Sequence, residues 1–378
     1  MGAAATLAGG FVVMQVAFSG PAESDRHGAP PQSAEPRQPS PSTARVDGGY
    51  LISATELADR ARQAEAGIEP YRSALDQLMA EADRALEGEP RPVNPLSRRD
   101  DRFLRDTRDA YTLALAWVAS GQERYAERSA DFINAWATNV DETRDTCRES
   151  GGRDCVTSLV VSRSAPAFVF AADLLAGADA WSTADDLRFK DWLADVVLPA
   201  ASHRTNNWGD AGTFMRLVVA DYVGDTNEFR SAIDDWRSLM DLVTSAGQIP
   251  EETRRGSLGL LYTQGAISYK AAAAAIAARR GVDLWTYEGA LGGTLRDAID
   301  TLTRYWDDHD AWPWHDGRLD TPSVDPAWEI IYQRWPDQRY ARLFAESRPF
   351  GAVNPSAIVW TTLTNGVPIE DSQSSSSP

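Results

Sequence analysis

Two short segments concentrate the side chains able to do chemistry. One is Arg204-Thr205-Asn206-Asn207-Trp208-Gly209-Asp210; the other is Ile249-Pro250-Glu251-Glu252-Thr253-Arg254-Arg255, followed by Leu258, Leu261, Tyr262 and Tyr269. Carboxamides and guanidiniums can hold an anion, and preorganised donors aimed at developing negative charge are usually the largest catalytic contribution. A phenol, with a reference pKa of about 10, can move a proton if a cation stands near it. Arg255 and Tyr262 are seven residues apart. A helix sets them on one face with their backbones about 10 Å apart, a span from which both side chains can converge. By residue type alone, other readings stay open. Tyr262, among Leu258, Leu261 and Gly265, fits an ordinary core tyrosine; Asn206 and Asn207 fit a helix N-cap pair; Arg254 and Arg255 fit a solvated pair.

Other familiar signals are missing. The chain has no GxSxG, no P-loop, no HExxH and no strand-following GxGxxG. Its four histidines, His27, His203, His309 and His315, leave little for a metal cluster, so neither metal nor cofactor is expected. Among 55 acidic residues no pair stands out for glycoside hydrolysis.

The two segments resemble the alginate lyase family, most closely polysaccharide lyase family 5 and its α/α-toroid relatives. That family has an Asn-Asn-His motif at a helix start, and further along a Pro-x-Glu-x-x-Arg segment with a tyrosine seven residues after its arginine. Asn206-Asn207, Pro250-x-Glu252-x-x-Arg255 and Tyr262 match, in that order. Asp109–Trp136, with Tyr111, Leu115, Gly121, Tyr125 and Ala126, looks like the family's early helical pair, and Ala327-Trp328-Glu329 with Tyr332 looks like its closing segment. The resemblance spans roughly residues 95–340. The one departure is Trp208, where the family has histidine.

The resemblance implies cleavage of a uronic-acid polymer by β-elimination, alginate (poly-mannuronate) first, and polyglucuronate or a glycosaminoglycan-like chain second. It makes Asn207, Arg255 and Tyr262 the catalytic set. Asn207 and Arg255 would neutralise the uronate carboxylate while Tyr262 takes the C-5 proton and returns one to the leaving oxygen. One tyrosine doing both jobs requires a syn elimination, the simplest scheme without a histidine at 208. Trp208 is a sugar-stacking platform or core. Asn206, Arg254, Arg204 and Arg163 are candidates for holding substrate. His203, four residues before Asn207, is a candidate to replace the missing histidine, and Trp314 and His315, in Trp312-Pro313-Trp314-His315-Asp316, can line a sugar cleft. A hydrolase on the same architecture and a non-catalytic glycan-binding protein are the alternatives.

The positioning elements read as helices. Phe229, Ile233, Trp236, Met240 and Val243 fall on one helical face. Ser182 with Asp185 forms a capping box, and Gly281 ends an Ala-rich helix begun near Ser257. The same reading predicts helices near 54–66, 70–86, 99–120, 122–138, 159–177, 183–199, 208–223, 226–245, 257–280, 288–306, 325–334 and 337–345. Ten to twelve helices in antiparallel pairs with short loops give an all-α fold, an α/α toroid (incomplete α/α barrel) or a solenoid; the absence of a fixed-period repeat argues against the solenoid.

The chain has 378 residues, 43% of them apolar, enough for a large core. Its formal charge of −18 argues against non-specific nucleic-acid binding, so no nucleic-acid partner is expected. It also means that an anionic polymer would need a local positive patch. Residues 3–18 are apolar and short for a membrane span, so 1–20 reads as a signal-peptide-like or anchor segment with no stable membrane span. Residues 21–48, rich in Pro and Ser, read as a disordered linker, 49–368 as the lyase domain and 369–378 as a disordered tail. Cys147 and Cys155 suit a local disulfide and an oxidising compartment, so a secreted or cell-envelope protein is expected, with a monomer favoured.

Overall fold

The computed structural model describes residues 48–97, 101–150, 155–320 and 322–369. The signal-like segment 1–20 lies outside these residues, as do all but Gly48 of the 21–48 linker and all but Ile369 of the 369–378 tail. Among the described residues the regular structure is helical, with only isolated bridges such as Leu96 with Thr143, and no helix is long and apolar enough to cross a membrane.

The chain opens with α1 (Ala54–Glu65), α2 (Tyr71–Leu86), α3 (Asp101–Ser120) and α4 (Glu123–Asn139). The short α5 (Cys147–Ser150) then leads to α6 (Val156–Ser164), α7 (Pro166–Leu174) and α8 (Thr183–Trp192). Next come α9 (Asn207–Val223), α10 (Thr226–Met240), the four-residue α11 (Pro250–Thr253) and α12 (Gly259–Arg279). The chain closes with α13 (Leu295–Tyr305), α14 (Ala327–Arg334), α15 (Gln338–Phe344) and α16 (Thr361–Thr364).

The packing closes a ring. α3 meets α6 and α7, these meet α9, α9 meets α12, α12 meets α14, α14 meets α16, and α16 returns to α1 and α2, which pack on α3. α9 is buried almost all round: every residue from Gly209 to Ala220 is buried, the pattern of an inner helix. Its partner α10 is one-sided, burying Ala232, Ile233, Trp236, Leu239 and Met240 against α9. This is the expected α/α toroid. Polar bonds fasten its seam. Arg60 donates to Leu363 O at 2.8 Å and Tyr71 Oη to Gly366 O at 3.0 Å. The fully buried Glu329 takes Arg348 Nε at 2.8 Å and Thr362 Oγ1 at 2.7 Å.

Several boundaries follow the sequence. Ser182 and Asp185 form the expected capping box of α8, and α12 ends just before Gly281, whose φ is +77°. Others differ for local reasons. The single helix expected over 159–177 is two, because Pro166 at the start of α7 has no N–H to continue the ladder. The helix expected over 183–199 passes from α8 into a π-helical turn (Leu193–Val197) and a 3₁₀ turn (Leu198–Ala200). The helix expected from 288 begins at Leu295, capped by Thr294. The residues before it pass close to backbone: a Cβ on Gly289 would lie 2.2 Å from Met240 O, and one on Gly293 2.3 Å from Thr244 O. Cys147 and Cys155 form the expected disulfide.

Candidate functional site

The start of α9 is set by two glycines. A Cβ on Gly209 would stand 1.6 Å from Arg204 O, and one on Gly212 1.8 Å from Ser202 O, so only glycine lets segment 202–204 lie against the helix. Asn206 is the N-cap, its Oδ1 accepting from Trp208 N–H at 3.1 Å. The backbone N–H of Asn207 donates to Glu252 Oε1 on α11. The Asn207 amide nitrogen lies 3.7 Å from where a Cβ would stand on Gly265 of α12, while Asn207 Oδ1 is buried without a hydrogen-bond partner.

From α11 the chain turns through Arg254 and Arg255 into a 3₁₀ turn (Gly256–Leu258) and then α12. The guanidinium of Arg255 lies 4.5 Å from the centre of the Tyr262 ring. Tyr262 and Gly265 are three residues apart on α12 and share a face. Asn207, Arg255 and Tyr262 therefore come together where α9 and α12 meet. Arg255 and Tyr262 are half-buried, and Arg254 is exposed.

Charge is buried beneath this group. Lys270 Nζ bonds Asp210 Oδ1 at 2.5 Å, with both side chains almost wholly out of solvent. Glu252 is fully buried and its Oε2 has no partner. Burial pushes the Glu252 carboxyl up to about 7, with Asp210 adding to the rise; the bond from Asn207 N–H and the charges of Arg255 and Lys270 oppose it. Burial likewise pushes the Asp210 carboxyl up, against the pull of Lys270.

The remaining candidates divide. Arg204 stacks over Trp208 with its guanidinium 4.3 Å from the ring centre, both half-buried beside Asn207. The tryptophan-rich loop docks on the turn after α11: Trp312 Nε1 donates to Thr253 O at 3.3 Å, and Asp320 N–H to Ser257 O at 2.8 Å. This brings His315 Cε1 to 4.0 Å from the Cβ position of Gly256, next to Arg255. Trp314 packs on Trp312 and Tyr305, with ring centres 4.7 and 5.9 Å away. His203 goes elsewhere. Its Nδ1 lies 3.4 Å from Arg216 Nη1, and Arg216 follows Asn207 by nine residues, two and a half helical turns, on the opposite face of α9. Residues 201–204 are not helical, so the four-residue spacing that favours His203 does not carry it to the Asn207 face. Arg163, half-buried on α6, has a different neighbour. Its charge acts on the half-buried Tyr269, seven residues past Tyr262 and so about two helical turns further along α12, and its Nε is buried without a partner.

Sequence reasoning missed Glu252 and the Asp210–Lys270 pair. Glu252 was visible inside the Pro-x-Glu-x-x-Arg pattern. Lys270 was one of only two lysines, placed in an alanine-rich helix where a charge needs a partner. Among the described residues, no group of three or more His, Cys, Asp or Glu is arranged to hold a metal ion.

The arrangement has relatives among known proteins. The alginate lyase family model matches residues 57–312. Among solved structures, an alginate lyase from Bacteroides ovatus is similar at 18% identity and a TM-score of 0.63, over 83% of this chain and 99% of that one. Alginate lyase A1-III from Sphingomonas species A1 is similar at 18% identity and a TM-score of 0.66, over 86% of this chain and 98% of that one. A histidine-to-alanine variant of A1-III complexed with a tetrasaccharide matches at 17% identity, with the same TM-score of 0.66 and the same coverage. At these identities the structures speak for the fold. A search of curated protein sequences finds no match. The family match runs from α1 through the Asn207, Arg255 and Tyr262 segments to Trp312, about two thirds of the sequence; the chain belongs to the alginate lyase family and is a polysaccharide lyase.

Proposed function

We propose that this protein cleaves alginate, poly-mannuronate first, by syn β-elimination, with Tyr262 as both base and acid. The observation that carries the reading is the meeting of three unlike groups: the Arg255 guanidinium over the Tyr262 ring, with the Asn207 amide across from them at Gly265. Asn207 and Arg255 hold the uronate carboxylate and stabilise the charge that spreads onto it as the C-5 proton leaves. The ionised Tyr262 oxygen takes that proton. The electron pair of the C5–H bond forms the C4=C5 double bond, the C4–O4 bond breaks, and Tyr262 returns the proton to the departing O4. Tyr262 ends as it began, so no second acid is needed and Trp208 need not replace the family's histidine in proton transfer. Trp208 under Arg204 offers a flat apolar face for a neighbouring sugar ring. In A1-III, variants of a histidine and of a tyrosine were each complexed with tetrasaccharide, which supports an oligosaccharide-binding cleft on this fold. The Cys147–Cys155 bond supports a secreted or envelope-attached protein.

The test is ultraviolet absorbance of the unsaturated product on poly-mannuronate, poly-guluronate, polyglucuronate, hyaluronate and chondroitin. Absorbance should rise first and fastest on poly-mannuronate, and Tyr262→Phe should lower kcat by about 10²–10⁴-fold. New reducing ends without absorbance would mean hydrolysis, and turnover by Tyr262→Phe near the wild-type rate would remove Tyr262 from the mechanism.

A further inference from the structure

Glu252 and Asn207 each leave one oxygen stranded. Glu252 Oε1 accepts the Asn207 backbone N–H, but Glu252 Oε2 and Asn207 Oδ1 are both buried without a hydrogen-bond partner. The two residues meet at the start of α9, where the Asn207 backbone N–H holds the other end of the Glu252 carboxyl. A carboxylate oxygen and an amide oxygen are both acceptors, and a buried polar atom left unsatisfied costs about 1–3 kcal/mol. One proton on Oε2 turns an acceptor into a donor and satisfies both atoms.

Resting on the lyase reading above, we propose that Glu252 is a positioning residue that carries a proton on Oε2 and donates it to Asn207 Oδ1. That bond fixes the amide with its Nδ2 hydrogens turned toward the side where the substrate carboxylate binds. An ionised Glu252 repels Oδ1 and favours the flipped amide, which would present oxygen to an anionic substrate.

The surroundings agree with a held proton. Asp210 faces Glu252 from α9 and adds negative charge, while Lys270 from α12 and Arg255 from the following turn offset it; burial dominates and pushes the carboxyl up to about 7. The sign follows. The proton is present below that value and is lost as pH rises through it. A uronate carboxylate held by Asn207 adds another negative charge nearby and tightens the proton, so the loss comes at higher pH in kcat than in kcat/KM. The pH dependence of kcat/KM reports the free enzyme and that of kcat the complex.

The experiment measures kcat and kcat/KM on poly-mannuronate from about pH 5.5 to 9.5 for wild type, Glu252→Gln and Glu252→Leu, by absorbance of the unsaturated product. Taken as a ratio to Glu252→Gln, so that the rise from the Tyr262 base cancels, wild-type kcat/KM should decline above about pH 7, with the decline of the kcat ratio displaced to higher pH. Glu252→Gln keeps a donor for Oδ1 and an acceptor for the Asn207 N–H. It should hold kcat within about threefold of wild type on the acid side and lose the decline. Glu252→Leu, which supplies neither, should lose about 10²-fold in kcat at every pH. A Glu252→Gln profile that declines as the wild type does, the result expected if a trapped water bridges an ionised Glu252, overturns the proposal. So does a wild-type to Glu252→Gln ratio with no decline. Asp210→Asn gives a second reading of the same group. It removes the negative charge that raises Glu252 and should move the decline to lower pH; an unmoved decline also overturns the proposal. Wild type that forms no unsaturated product on any polyuronate refutes the lyase reading instead, so the two failures are distinct.

Discussion

Replacing Gly209 by alanine should disable the site without touching substrate. Its new Cβ would stand 1.6 Å from Arg204 O, whereas ordinary van der Waals contact begins at 3.4 Å. The neighbour is backbone, so no rotamer change relieves the clash. The first turn of α9 or segment 202–204 must move, and the shortfall sets the scale at about 1–2 Å. Asn207 lies two residues before Gly209 and moves with it. Misplacing a catalytic group by about 1 Å can cost about 10²-fold in rate, so Gly209→Ala should lower kcat on poly-mannuronate about a hundredfold. Overpacking of this kind costs about 1–3 kcal/mol of stability. The protein should therefore remain folded at 25 °C, with a thermal midpoint lower by a few degrees. Gly224→Ala is the control. It strains the far end of the same helix, where φ is +80° and a Cβ meets nothing within 4 Å. It should lower the midpoint through about 1 kcal/mol of backbone strain and leave kcat within about twofold. Gly209→Ala with kcat within about threefold of wild type, or equal kcat losses in both variants, would refute the reasoning.

Other outcomes follow from the buried charges and the disulfide. Lys270→Met strands Asp210 in the core and should cost about 3–5 kcal/mol in denaturant unfolding, while the double variant with Asp210→Leu should recover most of it. Cys147→Ser with Cys155→Ser opens a loop with a sequence separation of 8 and should cost about 2–3 kcal/mol by the loop-entropy relation, with kcat at 25 °C nearly kept. Burial, aided by Asp106, pushes the Asp109 carboxyl up to about 6 from an ordinary 3.8. The folded protein therefore takes up a proton over this window that the unfolded chain does not. Stability gains from this group as pH falls from about 6 to 4 and is lost as pH rises. Asp109→Asn should flatten that part of the stability–pH curve; an unchanged slope would place the proton elsewhere.

The sequence was legible where function lies in contiguous motifs and helical spacing. Arg255 and Tyr262, seven residues apart, do meet, and the Ser182–Asp185 box does start α8. It misled where a residue's neighbours come from another part of the chain. His203 looked close to Asn207 by count, but the intervening backbone is not helical and Arg216 draws it to the other face of α9. Glu252 looked like one acid among 55, because its burial depends on α9 and α12 closing over it. The pairing of Arg163 with Tyr269 has the same origin: the charge on α6 acts on a tyrosine of α12 more than a hundred residues later, which no local spacing shows. The late start of α13 comes from Gly289 and Gly293 passing the backbone of 240–244, a long-range constraint that no local pattern shows.

In the proposed mechanism a carboxylate must find Asn207 and Arg255 at once, although they stand 48 residues apart in sequence. Apolar packing alone gives them little register. Much of the apolar surface where α9 and α12 face one another is small, with Ala211 and Gly265 and the run Ala271–Ala274 among the residues involved, and small side chains present shallow ridges along which helices can slide. Two directional contacts remove that freedom. Asn207 N–H to Glu252 pins the start of α9 to the segment that carries Arg255, and Asp210 to Lys270 pins the next turn of α9 to α12 beyond Tyr262. The second is buried and the first ends on a fully buried carboxyl, so breaking either leaves a stranded polar group, and small displacements are resisted far more strongly than at a surface contact. A productive site needs its groups held within about 0.5 Å. The polar pins below Asn207 and Tyr262 are what can meet that tolerance, which is why an acidic protein keeps one of its two lysines in the core.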